Sequence, residues 1–188
     1  PSLPLHAKAY QYTKMLADRG LDVADLSFAG GFAREDHIFK ALALGSPFVK
    51  LVCMGRAPMI PGYLGSNIEG VLYPERKEKL NGHWDELPAS VLAFGQKPEE
   101  IFAGYETVKA KVGADEMKNI PFGAIAMVGY ADKLACGVQQ FMAGARKFNL
   151  SEIARSDLMA ANEETAEITG IPYLSDVEDA QAKEILKG

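Results

Sequence analysis

The sequence predicts an α/β fold, the C-terminal portion of a (β/α)₈ barrel with a loop-rich insertion and closing helices, on three observations. Two short apolar runs, Leu26–Ala29 and Phe48–Cys53, flank a segment of helical period. Both runs are apolar at successive positions, as in strands of a parallel sheet covered on both faces. Each then leaves through glycine, at Gly30-Gly31 and at Met54-Gly55-Arg56.

In chain order, Leu5 to Arg19 reads as a helix with Leu5, Tyr12, Met15 and Leu16 near one side and Gly20 as its stop. The first strand follows, then a helix from about Arg34 to Leu44 whose buried stripe is Ile38, Ala41 and Leu42, closed by Gly45. With the second strand this predicts a parallel βαβ unit. From Pro58 to about Asn119 the prolines and glycines predict loops with one clear helix, starting at Pro98, spacing Ile101, Tyr105, Val108 and Val112, and ending at Gly113. The last third reads as three helices: Ala126 to Phe148, Ser151 to Thr169, and a final one opened by a Ser175/Glu178 capping box and running to Lys187. The expected organisation is a barrel segment at 1–71, an excursion at 72–120 and a closing helical segment at 121–188, all within one structural unit.

The chain has 188 residues, 48% of them hydrophobic and 24% charged, enough for one sizeable core. A net charge of -5, with no basic cluster beyond the mixed run Glu75 to Lys79, offers no electrostatic footprint for nucleic acid or an anionic membrane. Cys53 and Cys136 lack metal-ligand or disulfide-framework spacing, so no metal site is expected and a reducing, cytoplasmic setting fits best. No apolar run is long enough to span a bilayer. The start at Pro1 without an initiating Met predicts that an upstream segment was removed or that the chain belongs to a longer polypeptide.

A parallel strand ending in Gly-Gly turns backbone N–H groups toward its C-terminal end and, lacking Cβ atoms, admits an anion closely. Gly55-Arg56 after the neighbouring strand offers a further amide and a guanidinium. Paired turns of this kind form the phosphate site after strands seven and eight of many (β/α)₈ barrels. Arg56 and Lys40 also suit a surface ion pair and a solvated helix face. His6, His37 and His83 have no triad or metal spacing, and Val138, Phe141, Met142 and Ala145 read as core.

Leu16 to Leu21, Gly30-Gly31-Phe32, Lys40 to Gly45 and Met54-Gly55-Arg56-Ala57 together resemble the end of the FMN-binding barrel domain of the glutamate synthase and glutamate-synthase-like family. The tail, Phe141 to Leu150 and Asp157 through Ile171, is more distantly similar to that family's closing helices. The family's Arg-Thr-Gly after the turn is Ala33-Arg34-Glu35 here, His37 stands in place of its Asp, and its cluster-binding cysteines near Gly62 are absent.

The resemblance implies an FMN-dependent oxidoreductase whose flavin phosphate is held by Gly30, Gly31, Phe32, Met54, Gly55 and Arg56. Reduced flavin in that family delivers electrons to 2-iminoglutarate. Catalytic residues would lie upstream of Pro1, on strands supplied by the same longer polypeptide or by another subunit. A small-molecule substrate is expected, with no nucleic-acid or membrane partner. Two alternatives stay open: a non-flavin phosphate-binding barrel of the inosine-monophosphate-dehydrogenase type, and a non-catalytic subunit or assembly module.

Overall fold

The computed structural model describes residues 2–80 and 82–187. It is a mixed α/β protein, mostly helical, with two parallel strands among the described residues. The chain divides into two compact units, residues 1–54 with 137–188, and residues 55–136.

In the first unit, helix α1 (Ser2–Asp18) precedes strand β1 (Leu26–Ala29), helix α2 (Glu35–Gly45) and strand β2 (Val49–Cys53). β1 pairs with β2 in parallel, with Ala29 opposite Cys53 and one irregularity between Leu26 and Ser27. The βαβ unit is thus formed within a residue of its expected bounds. Its strands are buried on one face only: Phe28 and Val49 are covered, whereas Ser27, Cys53 and Leu51, the last 65% exposed, are open. α2 is the reason for this asymmetry. Its Ala41 and Leu44 pack with Phe28, Val49, Ala160 and Ile171, while its Phe39 and Ala43 pack with Val138, Met142 and Ile153.

α1 also differs from the expected face. Leu5, Tyr12 and Met15 are exposed, and the helix packs through His6, Ala7 and Thr13. A stripe of small and polar residues lets a helix lie close, and the hydroxyl of Thr13 is satisfied by Ala9 O at 2.8 Å.

The tail from 151 to 169 is no continuous helix. Single turns at Leu150–Glu152 and Arg155–Asp157 precede α8, whose bounds are Glu163–Thr169. Short polar side chains compete here with helix formation by bonding backbone amides: Asn149 accepts from Ser151 N, Asp157 from Ala154 N, and Asn162 from Thr165 N. Between the turns and α8, Ala160 bridges Tyr173 in parallel. The last helix, α9, spans Leu174–Lys187, so Ser175 lies inside its first turn rather than at its cap.

The second unit contains α3 (Met59–Leu72), the short helices α4 (Ala89–Leu92) and α5 (Pro98–Ile101), α6 (Tyr105–Val112) and the start of α7 (Phe122–Gly144). α3 stands where the sequence predicts loops, because its glycines are contact surface instead of breaks. A Cβ on Gly65 would sit 2.5 Å from Phe122 O, and one on Gly123 would sit 2.7 Å from Gly62 O. The helix expected from Pro98 to Val112 breaks at Phe102, which turns into the core 5.3 Å from the Phe122 ring, and resumes where Gly104 lies against Gly129. α7 begins and ends four residues before its expected bounds. Arg146, in the left-handed region at φ 55°, closes it, with Lys147 N bonded to Met142 O and Arg146 N to Ala143 O, a Schellman motif.

One charged side chain ties three helices of the first unit. Arg155 donates to Leu44 O at the end of α2 and to Thr169 O at the end of α8, and its guanidinium lies 3.9 Å from the centre of the Tyr10 ring of α1. Both carbonyls sit at helix C-termini, where a cation is favoured. Burial pushes this guanidinium below its ordinary value. Arg155→Met is expected to lower unfolding free energy by about 2–4 kcal/mol, since two carbonyls lose their donor. Arg155→Lys should recover little, because an ammonium cannot reproduce the planar fork. Urea unfolding of the three proteins measures both effects.

Candidate functional site

Gly30 has φ 136° and Gly31 φ 71°, conformations that side chains rarely adopt. A Cβ on Gly30 would also lie 3.1 Å from Ser2 Cβ. The turn therefore requires glycine for its own geometry, and the amides of Gly31 and Phe32 form no hydrogen bond outside the strand ladder among the described residues.

Beside the turn lies a cleft of about 240 Å³ lined by Gly30, Gly31 and Phe32 together with His6, His37 and Lys40. His6 is buried and donates from Nε2 to Ala29 O at 3.0 Å, and its ring stacks on Phe28 at 4.2 Å between centroids. It fixes the carbonyl that immediately precedes the glycines. His37 accepts the Ala33 amide at Nδ1 (3.3 Å), so its proton resides on Nε2, on a ring that is part-exposed. The cleft thus gathers an imidazole N–H, an ammonium and a glycine turn, the donor set that suits an anion.

Asp36 controls the cation beside it. Its carboxylate bonds Arg34 through Nε (2.9 Å) and Nη2 (3.0 Å), and Lys40 Nζ at 3.0 Å. Hydrogen bonding from Arg34, and then from Lys40, holds this carboxyl well below the ordinary carboxylate range despite partial burial. Lys40 is thus neither a bare solvated charge nor free of a partner.

Of the residues singled out from the sequence, Gly30, Gly31 and Phe32 share this cleft. Met54 is half-buried, the last residue of the first unit, and follows the end of β2. Gly55 and Arg56 open the second unit, both exposed. Gly55 does not have positive φ, and a Cβ there would meet nothing within 4 Å, so the local backbone does not require glycine. Arg56 forms no ion pair among the described residues, against the surface-pair reading. His6 and Ser2 had no sequence signal: their place depends on α1 packing against β1. Both cysteines are free and exposed. Among the described residues no cluster of metal-ligating side chains occurs, and no helix is long and apolar enough to cross a membrane.

Comparison with protein-family models, curated proteins and solved structures gives no match to the chain.

The Asp36 contacts generate a pH prediction. A carboxyl whose folded value is depressed stabilises the fold above its unfolded value, about 3.9, and loses that contribution as pH falls toward the folded value. The stability difference between wild type and Asp36→Asn is therefore expected to be constant from about pH 5 to 8 and to shrink below about pH 4. Urea midpoints across that range measure it, and a difference that grows in acid would contradict the assignment.

Proposed function

We propose that this chain supplies the flavin-phosphate end of an FMN-dependent oxidoreductase of the glutamate-synthase-like type, built on a (β/α)₈ barrel of which β1 and β2 are adjacent strands. The observation that carries this reading is the βαβ unit, with Ala29 and Cys53 in register and β1 leaving through two positive-φ glycines into a cleft with Lys40 and His37.

The residues fit a phosphate monoester. Glycine keeps the turn open, the amides beyond Gly30 supply donors, and Lys40 with His37 Nε2–H adds positive and polar contacts. His6, through Ala29 O, positions the turn. The family resemblance also implies a phosphate role for Met54, Gly55 and Arg56, which are separate from this cleft. Flavin, when bound, would supply the redox chemistry, and the chain's own part is to hold and orient it.

Strands with an open face, and an exposed apolar side of α1, are consistent with further strands and helices completing the barrel, from the same longer polypeptide or another subunit. The substrate in this reading is a small molecule.

The test is phosphate-dependent flavin binding by the protein purified with its natural partners. FMN should bind at least about tenfold more tightly than riboflavin, which lacks the phosphate. Gly30→Glu should abolish that preference, placing a carboxylate where the phosphate sits. Equal affinity for FMN and riboflavin, or colourless protein that takes up neither, overturns the reading.

A further inference from the structure

A second cleft, of about 230 Å³, lies wholly within residues 55–136. Its walls include Tyr73, Tyr105, Met117 and Phe122, and two cations, Arg76 and Lys118, reach it. Met117 and Phe122 are buried, so one side of the cleft is the hydrophobic core of this unit. The volume falls below the roughly 300–1,000 Å³ of sites for drug-sized ligands, which limits an occupant to a small molecule.

Arg76 is held in place by a buried group. Glu69, only 3% exposed, accepts the Phe122 amide at 2.8 Å through one oxygen and Arg76 Nη1 at 3.0 Å through the other. The guanidinium lies 4.9 Å from the centre of the Tyr73 ring. A carboxylate anchored to the first amide of α7 thus orients the arginine, as outer partners orient the ligands of a binding site. A guanidinium carries five N–H donors, and Glu69 takes one of them. Glu75 Oε1 is 4.0 Å from Nε, too far for a hydrogen bond. Lys118 pairs with Asp115 at 3.0 Å, but both are largely exposed, and solvent screens such a pair enough for a ligand to displace it.

We propose that this cleft binds a small organic carboxylate with a flat apolar body. The carboxylate takes the remaining donors of Arg76 in the planar, two-point geometry that guanidinium favours, and Lys118 swings from Asp115 to add charge. The body lies against Tyr73, Tyr105 and Met117. A phosphate fits less well, since a dianion would meet more repulsion from Glu69, Glu75 and Asp115 than a singly charged carboxylate does, and the apolar walls would gain nothing from it. Nothing in this proposal depends on flavin binding, because every residue invoked belongs to the second unit.

The probe is benzoate, titrated onto the full chain and followed by NMR of the methionine methyls and tyrosine rings. Saturable shifts at Met117, Tyr73 and Tyr105 in the millimolar range are expected. Lys118→Met, which leaves Glu69 untouched, should weaken binding about threefold, the effect of losing one screened charge. Arg76→Met should weaken it at least about tenfold. Because that change strands a buried carboxylate, Arg76→Met is also made with Glu69→Gln, and the double variant, if folded by circular dichroism, should show the same loss. Absence of shifts up to several millimolar overturns the proposal. So do shifts that survive both the Lys118→Met change and the double variant. Inorganic phosphate moving the same resonances as strongly as benzoate would reassign the cleft to a general anion and overturn the carboxylate assignment.

Discussion

The close return of α2 onto β2 is the constraint on which the first unit depends. A Cβ on Gly45 would fall 2.1 Å from Val49 Cγ2 and 3.1 Å from Phe28 Cε2, so only glycine lets the helix end where the next strand begins. The chain then needs just Ser46, Pro47 and Phe48 to reverse direction, with Phe48 N bonded to Gly45 O and Phe48 O accepting Leu26 N. That short connection fixes the register, which places Ala29 beside Cys53 and brings both strands to an end at one level. The Gly30-Gly31 turn inherits its position from this geometry. A longer connection would leave the register to side-chain packing alone, on strands of only four and five residues.

Each unit also uses a charged side chain to finish helices. Arg155 satisfies carbonyls at the ends of α2 and α8, and Glu69 satisfies an amide at the start of α7. The signs agree with the helix dipole, positive at N-termini and negative at C-termini. Burial is tolerable in both cases because the charge is bonded: Glu69 has Arg76 and a backbone donor, and Arg155 has two carbonyls and the face of Tyr10. In the second unit the same group that closes the helix orients a cation toward a cleft, so packing and a potential binding surface are joined through one carboxylate.

Much of the fold was legible where local signals agree. Leu26 to Cys53 was readable because apolar runs, a 3.6-residue stripe and glycine stops all favour the same elements. Gly30 and Gly31 were readable as a special turn for the same reason. Legibility failed where a residue's local meaning and its tertiary use differ. Gly62, Gly65 and Pro61 look like helix breakers, yet α3 runs through them. Pro61 occupies the first turn, where no intrahelical N–H is required, and the glycines carry the close approach to Phe122 and Gly123. The break at Phe102 likewise reflects a core position beside Phe122, and no sequence period encodes it.

The sequence by itself determined the βαβ unit, its two glycine exits and the absence of clustered basic charge, because these follow from backbone preference, apolar period and composition. Tertiary structure alone decided that His6 holds Ala29 O and that Glu69, bonded to Phe122 N, orients Arg76. It also decided that Gly30 and Gly31 require glycine for their backbone whereas Gly55 does not. The physical reason is range. Turn chemistry acts over a few residues, while the partner of a buried polar group is whichever donor or acceptor packing brings within about 3 Å.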